Sequence, residues 1–178
     1  MKTIRCPHCG EETPQTREDA SLSNGEHNEY ICLNCGKPFG QANPTAPDSA
    51  INQCDTFHFS YGGYFGGYKS LTMRERDGYA ELTIEPPYSE FEHSGLTFRT
   101  TLDEWRDFKQ TLFHELFILS WTEDYTDPDI LDGTQWEIRL EFDTLKSVNI
   151  SGSNRYPVYY DDLIEHTAHY FSLIDEME

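Results

Sequence analysis

Leu71-Thr72-Met73-Arg74-Glu75-Arg76-Asp77-Gly78-Tyr79-Ala80-Glu81-Leu82-Thr83-Ile84 carries the architecture of the chain. Leu71 and Met73 alternate with Thr72 and Arg74, and Ala80, Leu82 and Ile84 alternate with Glu81 and Thr83. A period of two places successive side chains on opposite faces of a strand, so each half reads as a strand with one buried face. Asp77-Gly78 between them is a two-residue turn signal, and strands joined that tightly must run antiparallel. Pro86-Pro87 ends the second strand.

The same arithmetic extends outward from this hairpin. Phe57, Phe59 and Tyr61 alternate with His58 and Ser60 as a strand, which Gly62-Gly63-Tyr64-Phe65-Gly66-Gly67 interrupts as a tight loop. Leu96 and Phe98 mark another short strand. Thr101-Leu102-Asp103-Glu104 has the spacing of a capping box, which predicts a helix to about Leu119 with Trp105, Phe108, Leu112, Leu116 and Leu119 on its buried face. Trp136, Ile138, Leu140 and Phe142 alternate with Glu137, Arg139, Glu141 and Asp143, then pair with Val148 and Ile150 as a second hairpin. After Pro157 a last helix is expected from Asp161 to Glu176, burying Leu163, Thr167, Tyr170, Phe171 and Ile174. This order lacks the strand–helix–strand alternation of a parallel sheet. It predicts an α+β fold, a mainly antiparallel sheet with two helices packed on one face.

Ahead of it stand two short repeats, Cys6-Pro7-His8-Cys9-Gly10 and Cys32-Leu33-Asn34-Cys35-Gly36-Lys37. Two residues between cysteines let one tight turn aim both sulfurs at a single ion while backbone amides point at the thiolates. Gly10 and Gly36 can take the positive φ that finishes each turn. Residues 26–32 read as a short strand into the second turn, with a polar loop over 19–25. Over residues 1–40 this pattern resembles the zinc ribbon, with its rubredoxin-like knuckles. The resemblance implies a structural Zn2+ on Cys6, Cys9, Cys32 and Cys35, with iron as the alternative, and no position open to water or substrate. His8 is expected to stay exposed, outside the complete shell of four thiolates.

Residues 41–53 have the two prolines and small polar residues of a linker. The expected division is a ribbon over 1–40, a linker over 41–53 and an acidic α+β domain over 54–178. In the latter, Trp136-Glu137-Ile138, Ser151 to Pro157 and the run Tyr61-Gly62-Gly63-Tyr64-Phe65-Gly66-Gly67 resemble uncharacterised bacterial domains of unknown function, a likeness that brings no activity with it.

Hydrophobic residues form 37% and aromatics 14% of the chain, enough to fill a core, which argues against disorder. The net charge is -19, and residues 51–178 hold 9 basic against 25 acidic residues. Such a field repels phosphate and lacks the clustered Lys and Arg that release counterions, so direct nucleic-acid binding is disfavoured. Lys2, Arg5, Arg17 and Lys37 make only a thin basic set on the ribbon. There is no apolar run long enough to span a bilayer and no signal-peptide core at the N-terminus, so a cytoplasmic protein without membrane contact is expected. Paired thiols fit a reducing compartment better than a disulfide framework.

Each remaining candidate has a plainer alternative. Ser151-Gly152-Ser153-Asn154-Arg155-Tyr156-Pro157 could cradle an anion with amides, hydroxyls and a guanidinium, but reads more simply as a strand-to-helix turn with local bonds. The Gly62 to Gly67 run lacks the spacing of a phosphate loop and suggests a structural turn or an exposed aromatic contact patch. Asp124, Asp127, Asp129 and Asp132, in the loop over 123–132, could attract Ca2+, yet their spacing is not that of an EF-hand, and a solvated loop is simpler. His166 and His169, beside Asp162 and Glu165, could form a second metal site, with exposed histidines as the plain reading. Cys54, His93 and His114 could join as nucleophile and base only through a fold the sequence does not reveal, and Asp55 disfavours a Cys54 thiolate.

By subtraction the sequence points to a zinc-binding, non-catalytic interaction or adaptor protein whose acidic domain docks a macromolecular partner, expected to be a protein with a basic surface. One alternative is an acidic inhibitor or immunity-type protein that imitates nucleic acid. Another is an enzyme using the 151–157 turn and a histidine.

Overall fold

The computed structural model describes residues 3–12, 14–16, 29–40, 48–87 and 95–175. Lys2, Arg17, the loop over 19–25, the start of its following strand at 26–28, the linker stretch 41–47, His93 and Glu176 lie outside the described residues. The fold is α+β, built on a mostly antiparallel sheet.

Strands β1 (Pro14–Thr16), β2 (Tyr30–Cys32) and β3 (Pro38–Phe39) form a small antiparallel sheet in the order β1-β2-β3. A short helix α1 (Ala50–Gln53) leads into β4 (Cys54–Gly63), followed by β5 (Gly67–Arg76), β6 (Tyr79–Glu85) and β7 (Leu96–Thr100). Next come helix α2 (Leu102–Gln110), β8 (Asp124–Thr126), β9 (Gln135–Phe142), β10 (Val148–Ser153) and helix α3 (Tyr160–Asp175). The large sheet has seven strands in the order β7-β6-β5-β4-β9-β10-β8.

Both expected hairpins form, with Met73 opposite Leu82 and Leu71 opposite Ile84 in the first, and Leu140 opposite Val148 and Ile138 opposite Ile150 in the second. Gly78 closes the first turn at φ 83°. On β4, Phe57 and Phe59 are fully buried while His58 and Ser60 are half-buried. Rings from the helices reach this aromatic face: Phe108 meets Phe57, Tyr160 meets Phe59 and Phe171 meets Tyr61. The capping box closes reciprocally, Thr101 Oγ1 accepting from the Glu104 amide and the Glu104 carboxylate accepting from the Thr101 amide, each at 3.1 Å.

Three elements differ from the sequence expectation. Ala50–Gln53 is a helical turn whose Ala50 and Ile51 are buried in the core. The helix expected to reach Leu119 ends its α-helical part at Gln110 and widens into a π turn over Thr111–Glu115. Leu116, Phe117 and Ile118 are buried in succession, which one helical stripe cannot achieve, and Leu119 is exposed. Trp121 Nε1 donates to the Leu116 carbonyl at 2.9 Å and satisfies an acceptor freed where the helix stops. Finally, Asp124–Thr126, expected within a loop, is an edge strand running parallel to Ser151–Ser153, so its backbone joins a ladder while the Asp124 side chain stays exposed.

Candidate metal centre

The two cysteine turns are copies of each other in three dimensions. The Gly10 amide donates to the Cys6 carbonyl and the Gly36 amide to the Cys32 carbonyl, both at 2.8 Å. The Cys6 amide reaches Glu11 O at 2.7 Å and the Cys32 amide reaches Lys37 O at 3.0 Å. Gly10 and Gly36 stand at φ 80° and 72°, as the turns require.

These turns bring Cys6, Cys9, Cys32 and Cys35 together, with all four Sγ atoms within 4.8 Å of one another. Cys6 Sγ lies 3.8 Å from Cys35 Sγ, and Cys9 Sγ 3.6 Å from Cys32 Sγ. A tetrahedron of thiolates around an ion at about 2.3 Å has an edge of about 3.8 Å, whereas a disulfide needs about 2.0 Å. The cluster therefore fits a metal ion and not a pair of disulfides. Among the described residues it is the one group of three or more His, Cys, Asp or Glu side chains placed to hold a metal.

Around the sulfurs, the His8 amide points at Cys6 Sγ at 3.4 Å and Asn34 Nδ2 at Cys9 Sγ at 3.7 Å. His8 is half-buried, not exposed as expected, because its Nε2 bonds the Pro38 carbonyl across to β3. Burial pushes the Cys6 thiol up to about 12, while hydrogen bonding with the Glu11 backbone draws Cys9 down to about 7. A coordinated cation would override both, since a metal-bound thiol is deprotonated outright.

How this ribbon is seated has no local signal in the sequence. Cys6, Cys32 and Phe39 are fully buried and belong to the same hydrophobic core as the large sheet. Phe117 makes the join: its ring sits 5.0 Å from Phe39, 5.8 Å from Tyr30 and 5.8 Å from Tyr159. Its backbone is left-handed at φ 51°, uncommon for a bulky residue, at the point where the chain turns sharply after the π turn. Arg5 adds a polar clamp. Its amide donates to Tyr159 Oη and its carbonyl accepts from the same hydroxyl, both at 2.7 Å, while its guanidinium lies over the Tyr159 ring and bonds Asp162 at 2.6 Å.

The remaining candidates are divided between two clefts and the core. His114 and His166 line a cleft of about 740 Å³ between the ribbon and the helices, together with Arg5, Tyr159, Asp162 and Glu165. Burial lowers the His114 pKa below its ordinary value. Ser151 and Gly152 line a different cleft of about 310 Å³ with Ser60, Gln135 and Glu137, and no histidine lines it. His166 is half-buried and stacks on Phe108, and His169 is exposed against Tyr170. Cys54 is buried, donates to the Thr56 carbonyl, and has its thiol pushed up to about 12 by burial, which leaves it a poor nucleophile.

In the 151–157 turn the anchoring group is Asn154, at φ 58°. Its side chain accepts from the Thr134 amide at 2.9 Å and donates to the Asp132 carbonyl at 3.4 Å. In the acidic segment Asp124 accepts from Thr126 and Asp127 from the Asp129 amide.

No family model and no curated protein matches the chain, so the second resemblance finds no support and what the protein does must be read from its own geometry. No helix of the described residues is long and apolar enough to cross a membrane.

Proposed function

We propose that the protein is a zinc-stabilised, non-catalytic interaction protein of the cytosol, whose acidic strand–helix part docks a partner protein through a basic surface. The observation that carries this reading is the charge of residues 51–178, 25 acidic against 9 basic side chains. A field of that sign speeds encounter with a positive partner and rejects phosphate backbones. The metal's role follows from its shell: four thiolates leave a tetrahedral ion no open position for water or substrate, so it holds a fold instead of a reaction. Zinc suits such a closed site because it has no redox chemistry of its own, and free thiolates persist in a reducing compartment.

The test is capture of partners by the immobilised full chain at low and high salt, beside a variant with Asp127, Asp129 and Asp132 changed to Asn. A defined protein partner held by the native chain and released both by salt and by the substitutions supports the proposal. Recovery of no specific protein counts against it. Competition by duplex DNA for the captured partner would favour the nucleic-acid mimic instead.

A further inference from the structure

The tip of the β4–β5 hairpin carries two of the most exposed large side chains in the described structure, Tyr64 at 81% and Phe65 at 85%. Their rings meet edge-on at 5.2 Å, so they form one aromatic knob. The turn beneath is built tightly: at Gly62 the two strands approach so closely that a Cβ would collide with the Gly67 carbonyl. A Cβ on Gly63 would come within 3.0 Å of the Gly133 carbonyl oxygen, so this end of the hairpin lies beside the loop carrying Leu131, 92% exposed, and Ile130, 45% exposed. That loop is fixed by Asn154, whose side chain clasps Thr134 and Asp132. Four large apolar side chains thus project from two neighbouring, braced loops at one end of the sheet. Large apolar side chains left exposed together at one end of a sheet mark a candidate interaction site.

The surrounding charge selects the occupant. Residues 123–132, which run into this loop, hold five acidic side chains, Glu123, Asp124, Asp127, Asp129 and Asp132, and no Lys or Arg. An apolar centre with an acidic fringe rejects nucleic-acid phosphate and anionic lipid, and at net charge -19 it rejects a second copy of this chain. Building on the proposed docking function, we infer that this end of the sheet is the docking surface and that it takes a protein segment in which aliphatic residues alternate with Lys or Arg. The aliphatic side chains pack on Tyr64, Phe65 and Leu131 while the cations face the Asp fringe. Aromatic anchors ringed by complementary charge are the usual energetic centre of such contacts.

The probe is a fluorescent 16-residue peptide of alternating Leu and Lys, with Leu-to-Ser and Lys-to-Ser versions, titrated onto the metal-loaded full chain by anisotropy at two salt concentrations. The native chain should bind the parent peptide, with loss at high salt and loss for either altered peptide. Y64S/F65S should weaken binding by at least about tenfold, as expected when two anchors are truncated, while keeping the native melting temperature because both side chains are exposed. Amide shifts on binding should cluster in residues 62–67 and 124–134. If the native chain ignores every peptide, the acidic docking function itself fails. If it binds but Y64S/F65S binds equally well, that function stands and the surface assigned here is wrong. A dimer of the native chain abolished by Y64S/F65S, or Phe65-dependent binding to neutral phosphatidylcholine vesicles, would likewise overturn the assigned occupant.

Discussion

Phe117→Ala should destabilise the whole molecule and not the ribbon alone. The ring is 2% exposed and meets Tyr30, Phe39 and Tyr159 at interplanar angles of 80°, 81° and 64°. Truncating a buried Phe costs about 3–5 kcal/mol through lost transfer energy plus the cavity left behind, and the edge-on ring contacts are part of that figure. Against a typical total of about 5–15 kcal/mol this is a large fraction. Ala keeps the left-handed backbone at φ 51° and so recovers none of its cost. Phe117→Gly removes that cost of about 1–2 kcal/mol and adds about 0.5–1 kcal/mol of chain entropy, so it should be no less stable than the Ala variant. The assay is guanidinium unfolding of metal-loaded protein, followed by tryptophan fluorescence and by metal release to a coloured chelator. Trp105, Trp121 and Trp136 are all buried in the strand–helix part, so fluorescence reports on that part. Both signals should move to lower denaturant together. If the fluorescence transition stays within about 0.5 kcal/mol of native while metal release alone shifts, the ribbon is an independent module and the shared-core argument is wrong.

Several other perturbations test separate joints. Arg5→Ala removes the Asp162 ion pair and the stack on Tyr159 and should cost about 1–3 kcal/mol by thermal or chemical unfolding, whereas Arg5→Lys should recover only part of it because a point charge cannot stack as a planar guanidinium does. Lys109 is 5% exposed and donates to the Cys54 carbonyl at 3.0 Å, so Lys109→Ala should cost about 2–4 kcal/mol and Lys109→Met distinctly less, since Met refills the volume. In the folded, metal-loaded protein at pH 8, iodoacetamide should leave Cys54 unmodified, because burial holds its thiol neutral with a pKa pushed up to about 12; mass mapping after denaturant should then find it labelled. His58 and His114 both have folded pKa values depressed by burial below 6.5, so the unfolded chain takes up protons first and stability should fall as pH drops through the region just below 6.5. His114→Gln should flatten that slope between pH 7 and 5.5 when unfolding is measured against the native chain.

What could be read from the sequence was local. Asp77-Gly78 and the alternation on either side of it specify a hairpin within fourteen residues, and Thr101 with Glu104 specify a helix start within four. The cysteine pairs fix the metal cluster because each pair's geometry is set inside one turn. What escaped was long-range. Arg5 and Tyr159 are 154 residues apart, and nothing near either one signals the other. Phe117 reads in sequence as one more apolar residue, with no local sign of its left-handed backbone or of the three rings it meets. Lys109 lies four residues after Trp105, at helical spacing, but a charged residue reads as surface until Glu75 and the Cys54 carbonyl are brought beneath its ammonium. The edge strand Asp124–Thr126 was hidden because only Tyr125 among its three side chains is half-buried and apolar, too short a pattern to read as a strand, while its order comes from backbone pairing with Ser151–Ser153.

The measurement that bears most directly on the account is native mass spectrometry of the untagged full chain with element-specific detection, run beside the Cys35→Ser variant. The account predicts one zinc ion per chain, retained through purification and lost or loosened in the variant. A chain that carries no metal, or that carries its metal undiminished after Cys35→Ser, would contradict it.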